Sequence, residues 1–576
     1  MKKQIGIVSI FCLLASNPSL LSQIAQEPPI YGSGDSSHPV VGRSGIVSSR
    51  DELSTKIGLD ILKAGGNAID AAVAVGFAMA VTTPQAGNLG GGGFMLVHHA
   101  ETDTTIAIDY REKAPLGATR DMYLDEEGNV DPNKSRYSRM GAGVPGTVAG
   151  LAMALEKFGT LTLAEVIQPS INLAENGFPV DYDLYTSLKR GKENIQKLSP
   201  EAYSIYYHKD GRPYYPGEIL KLPDLAKTLK AIASKGSDAF YKGSIAKLIA
   251  RDMETNGGLI TQKDLALYRP ALREPVTGDF NGYQIASMPP PSSGGVHIVQ
   301  MLNMLEPLDL SEYGHNSAKA IHLMAETMKY AYADRSKHLG DSDFNPVPVD
   351  WLVSKEYADS LRDKMNMDAA TDSESIMPGT PPIEGPDTTH YNVIDKFGNA
   401  VANTYTINFS FGSKILVPGA GFFLNNEMDD FSAKPNVPNA YGLIGGEFNS
   451  IESEKRMLSS MTPTIVFKEG APYLLCGGRG GSRIITAVLQ VVLNVLEFDM
   501  NVSEAVAAPR VHHQWLPDQL RIEKTINTDT KSILESMGYE LKAGFATGYT
   551  NAAMFEDGFF YGASDPRLPS GLAEGY

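Results

Sequence analysis

One threonine, Thr388, stands where a cut in the chain would give its hydroxyl new chemistry. It opens a β-type run, Thr388-Thr389-His390-Tyr391-Asn392-Val393-Ile394-Asp395, directly after Asp387. A threonine heading a strand is ordinary. If the chain is cut before Thr388, that one residue carries both a nucleophilic hydroxyl and a free α-amine. The amine, with an ordinary pKa of about 7.7–8.0, is a general base within reach of its own side chain.

Other residues offer complementary chemistry. Gly477-Gly478-Arg479-Gly480-Gly481 follows a strand and leads into a helix starting at Ser482. Backbone N–H groups at such a junction favour negative charge, and an acyl-transfer enzyme uses them to hold an oxyanion. The stretch lacks the Gly-Lys-Ser/Thr of a nucleotide loop and the third glycine of a dinucleotide fingerprint. Arg111 ends a strand, and its guanidinium suits a carboxylate. Asn425-Asn426-Glu427-Met428-Asp429-Asp430-Phe431 packs three carboxylates into four residues, enough to hold an ammonium group. Ser459 and Ser460 add two adjacent hydroxyls. Thr404, Thr406 and Asn408 alternate, so a strand through them places all three on one face.

The elements around these residues are legible in outline. Ser54 to Lys63 reads as an amphipathic helix stopped by Gly65-Gly66. Asn67 to Val81 is apolar on nearly all faces, with Asp70 its one charge, and reads as a core helix. Asn88-Leu89-Gly90-Gly91-Gly92-Gly93-Phe94 demands close backbone approach or unusual φ angles and leads into a strand from Met95 to His99. Ala107 to Tyr110 is a second short strand. Residues 148 to about 275 alternate helical patterns with turns. Pro289-Pro290-Pro291-Ser292-Ser293-Gly294-Gly295 is a stiff loop before a helix near Val296. Residues 366–387 are rich in Pro, Ser, Thr and acids and read as an exposed linker that ends at Thr388. Beyond it, Val401 to Asn408 pairs with the Thr388 strand, Thr462–Lys468 and Pro472–Cys476 are further strands, and a helix runs from Ser482 to about Val495.

Composition bounds the function. The 576 residues carry 42% hydrophobic and 20% charged side chains, a globular balance. A net charge of −17 with no basic block disfavours nucleic acid and anionic membranes. Lys2-Lys3 before the apolar run Ile5 to Leu14 matches a secretory leader within residues 1–26, and that run is too short to span a membrane. The mature protein is therefore expected in the periplasm or outside the cell, without a membrane span. Of two cysteines, Cys12 leaves with the leader, so Cys476 has no internal partner. No His-Glu-x-x-His or comparable spacing occurs, and neither a metal nor another cofactor is expected. No Gly-x-Ser-x-Gly points to a serine hydrolase.

Taken together, and in this order along the chain, the motifs resemble the γ-glutamyltransferases, also called γ-glutamyltranspeptidases or glutathione hydrolases. The likeness runs through Asn88–Met95, Tyr110-Arg111-Glu112, Gly143-Val144-Pro145-Gly146-Thr147, Pro289–Gly295, Thr388–Tyr391, Asn425–Ser432, Leu458–Met461, Gly480–Arg483 and Tyr561–Arg567. It implies an α+β fold of the N-terminal-nucleophile (Ntn) hydrolase type, a four-layer αββα sandwich. The precursor would cut itself into a large subunit, residues 27–387, and a small one, residues 388–576, which stay paired. By the same resemblance Thr388 is the nucleophile and Thr406 its hydrogen-bonding neighbour, while Gly480 and Gly481 form the oxyanion hole. Arg111, Ser459 and Ser460 would hold the substrate α-carboxylate, and Asn408, Glu427 and Asp430 its α-ammonium. Lys434 to Gly446, with Tyr441, matches a lid. Glutathione and other γ-glutamyl compounds are the implied donors, with water, amino acids or peptides as acceptors. The family usually shows Ser-Pro where this chain has Gly478-Arg479; the hole is still expected to form.

Overall fold

The all-apolar segment after Gly65-Gly66 folds as helix α1 (Ala68–Thr82), every residue of which is buried. Asn67 caps it in a capping box with Asp70. The Asp70 carboxylate also accepts from the N–H groups of Thr160 and Leu161 at 2.8 and 3.0 Å. Full hydrogen bonding is what lets one charge sit in an otherwise apolar helix. These elements come from a computed structural model, which describes residues 35–376, 388–434, 446–544 and 546–576.

Two seven-stranded antiparallel sheets form the centre. In the first, β1 (Gly92–His99), β2 (Thr388–Asp395) and β3 (Ala400–Thr406) are inner strands. Its order is Leu572–Gly575, Gly45–Ser49, β2, β3, β1, Thr104–Tyr110, Ala271–Arg273. The second runs Val40–Gly42, Phe559–Ser564, Tyr549–Glu556, β4 (Ala471–Arg479), Thr464–Lys468, Tyr283–Ser287, Val276–Phe280. Strands β2 and β3 lie against β4 across the gap between the sheets, and α1 covers the outer face of the first sheet. Helices α2 (Gly294–Leu305), α3 (Ala318–His338) and α4 (Arg483–Leu496) build the outer layer on the second, α4 directly against β4. The αββα order expected from the motif resemblance is therefore present.

Strand periodicity explains where the site lies. Tyr391, Val393, Val401 and Tyr405 point outward into the core under α1. Alternate residues face the second sheet. At one end these are apolar: Ile394, Ala400 and Ala402 join the second core. At the other end they are Thr388, His390, Asn392, Thr404 and Thr406, all buried. This polar end is tied together: His390 Nδ1 lies 2.8 Å from Thr404 Oγ1 and His390 Nε2 2.9 Å from Asn392 Oδ1. The imidazole packs flat against Gly477 of β4, where any Cβ would overlap the ring.

Three readings of the sequence shift. Strand β3 stops at Thr406, and Asn408 lies beyond it with φ 71°, so Asn408 reaches the site through a left-handed turn and not by strand alternation. The four-glycine run uses no positive φ; it answers to close approach, since a Cβ on Gly91 would overlap the Thr406 carbonyl oxygen. Residues 366–376 are anchored, not a loose linker. Lys329 Nζ donates to Thr371 O at 2.6 Å, and Asp518 accepts from the Ser373 N–H at 2.9 Å. The remainder of the expected linker, 377–387, lies outside the described residues.

Candidate active site

The nucleophile candidate sits at the very start of β2. Thr388 is the register partner of Thr406 on β3, and side chains directly opposite in an antiparallel pair have Cβ atoms about 4.5–5.5 Å apart. Thr406 Oγ1 accepts from the Asn408 N–H at 2.8 Å, and Asn408 Nδ2 donates to Asn426 O at 2.9 Å. The turn after β3 thus ties the strand end to the acidic segment. Asn88 fixes β3 from the other side, its Nδ2 donating to Thr406 O at 2.9 Å. Arg50 Nη1 donates to Thr388 O at 3.4 Å.

Thr388, Thr406, Asn408, Arg111, Glu427, Asp430, Ser459, Ser460 and Gly481 line one cleft. These residues come from six separate stretches of sequence. Gly480 adjoins Gly481 at the end of β4. Tyr441, with residues 435–445 of the expected lid, lies outside the described residues.

The glycine turn has an unusual backbone. Gly480 has φ 141° and Gly481 φ 63°, conformations that favour glycine. Arg483 Nε donates to Gly480 O at 3.0 Å, and the Ile484 N–H to Gly481 O at 3.0 Å. In a trans peptide the C=O and the next N–H point in opposite directions. Holding Gly480 O toward Arg483 therefore turns the Gly481 N–H the other way. Arg479, in the Gly478-Arg479 departure, lies 4.3 Å over the Tyr549 ring. Against the raising effect of burial, Arg50 and then Arg479 hold the nearby Asp183 carboxyl down to about 2.

The charged end of the cleft differs from the two-clamp expectation. Arg111 is fully buried and pairs with both carboxylates assigned to the ammonium: with Glu427 through Nη1, and with Asp430 at 2.5 Å through Nη2. Glu112 Oε2 is a third carboxylate, 3.6 Å from Arg111 Nη1. Burial raises all three carboxyls above the usual range, against the pull of Arg111. Glu427 Oε2 is buried and accepts no hydrogen bond from the described residues. Counted as ionised, the three carboxyls outnumber the one guanidinium, and an ammonium group entering beside them would favour their charged forms against the effect of burial. Asp429, the third acid of the segment, turns away to Ser135 and Arg136. The acidic stretch is thus a buried, sorted 3-10 turn (Glu427–Asp430), not a solvated loop.

The serine pair is braced by the proline-rich loop. The Ser459 N–H donates to Pro291 O at 2.8 Å, and Ser293 donates to Ser459 O through both its N–H and its hydroxyl, each at 2.8 Å. Ser460 Oγ accepts from Arg335 Nη2 at 3.0 Å. Arg335 lines the cleft and was not marked by the sequence. It lies in α3 among Lys329, Asp334 and Lys337, a pattern that reads as a solvated helix face.

The family model described as gamma-glutamyltranspeptidase matches residues 54–575, essentially everything that builds this cleft. The chain belongs to the γ-glutamyltranspeptidase family. It is 52% identical over 573 residues to the glutathione hydrolase proenzyme of Escherichia coli (strain K12), covering 99% of this chain and 98% of that protein. The structure of a cephalosporin acylase from Bacillus halodurans superposes with a TM-score of 0.83 at 27% identity, covering 96% of this chain and 99% of that one. A Helicobacter pylori gamma-glutamyltranspeptidase structure matches at 48% identity and a TM-score of 0.56, covering 57% of this chain and 93% of that one. This γ-glutamyltranspeptidase-family chain is accordingly an enzyme with an Ntn-type hydrolase fold.

Proposed function

We propose that the protein cleaves itself between Asp387 and Thr388 and then uses Thr388 to hydrolyse or transfer the γ-glutamyl group of glutathione and related amides. The observation that carries this is the convergence of Thr388, Gly481, the Arg111–Glu427–Asp430 cluster and Ser459-Ser460 on one cleft. In the precursor the Thr388 hydroxyl attacks the Asp387 carbonyl. The peptide C–N bond breaks, the freed amine becomes the α-amine of Thr388, and water hydrolyses the ester.

In the mature enzyme the α-amine takes the hydroxyl proton as Thr388 Oγ1 attacks the γ-carbonyl of the donor. The N–H groups of Gly480 and Gly481 stabilise the tetrahedral oxyanion. The leaving amine departs with the proton, and a γ-glutamyl ester on Thr388 remains. Water, or the amine of an amino acid or peptide, attacks that ester and restores the hydroxyl. Thr406, opposite Thr388, supports the nucleophile. Arg111, Ser459 and Ser460 receive the donor α-carboxylate; Asn408, Glu427 and Asp430 receive its α-ammonium. Recognition of both charges excludes analogues lacking either, because a buried partner is then left unpaired.

The two products of self-cleavage stay together, since β2 and β3 of the smaller piece lie between strands of the larger in one sheet. The leader-like N-terminus supports a periplasmic or secreted enzyme, and among the described residues no helix is long and apolar enough to cross a membrane. The relation to an acylase makes a substrate panel the right test. Purified protein should release glutamate from glutathione and pass the γ-glutamyl group to glycylglycine, while turning over a glutaryl amide, which lacks the α-amine, far more slowly. Faster glutaryl turnover would overturn the assignment of Glu427 and Asp430 to the ammonium.

A further inference from the structure

The two halves of the cleft are held by one turn of one helix. Tyr332 and Arg335 of α3 are three residues apart, so their side chains share a face, with Cβ atoms about 5–6 Å apart. Tyr332 Oη donates to the carbonyl oxygen of Ser482, the residue after Gly481. Arg335 Nη2 donates to Ser460 Oγ and Nε to Ser293 Oγ, each at 3.0 Å. The Ser293 hydroxyl in turn donates to Ser459 O at 2.8 Å. Between the two lies Asp334, which accepts from Gln300 of α2 at 2.6 Å and from Tyr357 Oη at 3.0 Å, fixing the rotation of α3.

Each contact acts on a different function of the cleft. The three consecutive carbonyls of the glycine turn are all held: Gly480 O by Arg483, Gly481 O by the Ile484 N–H, and Ser482 O by Tyr332. The Ser482 peptide is where the turn becomes α4. From outside the β4–α4 connection the phenol braces its carbonyl, while the Ser482 hydroxyl donates to Gln514 Oε1 at 3.0 Å. Arg335 instead fixes the rotamer of Ser460, and it brings a buried cation to the end of the cleft where Ser459 and Ser460 are placed.

We infer that Tyr332 and Arg335 are positioning residues with separable roles: Tyr332 holds the oxyanion turn for the acyl-transfer step, and Arg335 holds the serine pair for donor carboxylate binding. The division rests on the γ-glutamyl reading of the cleft, which turnover of γ-glutamyl-4-nitroanilide by the parent protein tests on its own.

The test is steady-state kinetics of Y332F, R335K, S460A and R335K/S460A, with rates per split chain and melting temperatures measured alongside. Two substrates are used: γ-glutamyl-4-nitroanilide and 4-aminobutyryl-4-nitroanilide, which lacks the α-carboxylate. Y332F should lower kcat at least 10-fold for both substrates and leave KM within 2-fold. R335K should raise KM at least 10-fold for the γ-glutamyl substrate and less than 3-fold for the decarboxy analogue. In the S460A background R335K should add less than half of that KM change. Equal changes in kcat and KM for both variants, or full additivity of R335K with S460A, would overturn the inference. So would a Y332F protein that melts like the parent yet stays unsplit. A parent protein inactive on the γ-glutamyl substrate would overturn the underlying reading instead.

Discussion

The buried Arg111 and the partly buried Asp430 form an ion pair at 2.5 Å, although one is assigned to the donor carboxylate and the other to its ammonium. The two ends of the zwitterion are therefore met by a cluster that already neutralises itself in part. Arg111 orients Glu427 and Asp430, and they orient Arg111, so a change at either end reaches the other.

Replacement of the acid is the first consequence. Losing one partner of a desolvated charge pair typically costs about 2–5 kcal/mol. D430N should lower kcat/KM for γ-glutamyl-4-nitroanilide by at least 30-fold, and by much less for glutaryl-4-nitroanilide, which has no amine to bind. Kinetics with both substrates on both proteins closes a double-mutant-style cycle. Equal losses would assign Asp430 to support of the turn alone.

R111K should impair both halves of recognition. Lysine keeps the charge but cannot bridge Glu427 and Asp430 with one planar fork. The expected outcome is a KM raised at least 10-fold with self-cleavage intact, read by kinetics and by a denaturing gel. An unchanged KM would remove Arg111 from the carboxylate clamp.

Acidification should weaken donor binding earlier than free carboxyls would. Burial holds the Asp430 and Glu427 carboxyls above their usual values, so they take up protons while ordinary acids remain charged. A protonated carboxyl no longer balances an ammonium group. KM for γ-glutamyl-4-nitroanilide should rise as pH falls through that raised range, with a shallower rise for glutaryl-4-nitroanilide. Parallel profiles for the two substrates would contradict this.

Stability should respond to acid through the interlayer histidine. Burial holds His390 down to about 4 from an ordinary 6.5. Between these values the unfolded chain binds a proton that the folded one refuses, so stability is full above about pH 6.5 and falls as pH drops toward 4. The whole effect is on the order of 3 kcal/mol for this one group. Chemical unfolding of parent and H390Q from pH 7 to 4.5 should show a smaller acid loss in the variant. Identical slopes would exclude His390 as a source.

The sequence carried the site further than the fold that aligns it. Thr388, Gly481 and the charged residues each belong to a local pattern with a mechanism, and the cleft assembles nearly all of them. Alternation extrapolated past Thr406 places Asn408 on a strand; the left-handed turn that ends the strand falls on an asparagine, a residue that tolerates such a turn without demanding it. The partnership of Arg111 with Glu427 and Asp430 was not legible, because the three are brought together by tertiary packing alone. Arg335 and Tyr332 carry no legible signal for a related reason. Their helix is buried along nearly its whole length, yet its charged residues imitate a solvated face.

The central claim is that Thr388 is both the point of self-cleavage and the nucleophile. The most direct measurement is N-terminal sequencing and intact mass of the smaller fragment from purified parent protein, beside T388A. The parent should yield a fragment beginning at Thr388, while T388A should remain a single inactive chain. A parent fragment starting at any other residue, or T388A splitting at the same bond, would contradict the account.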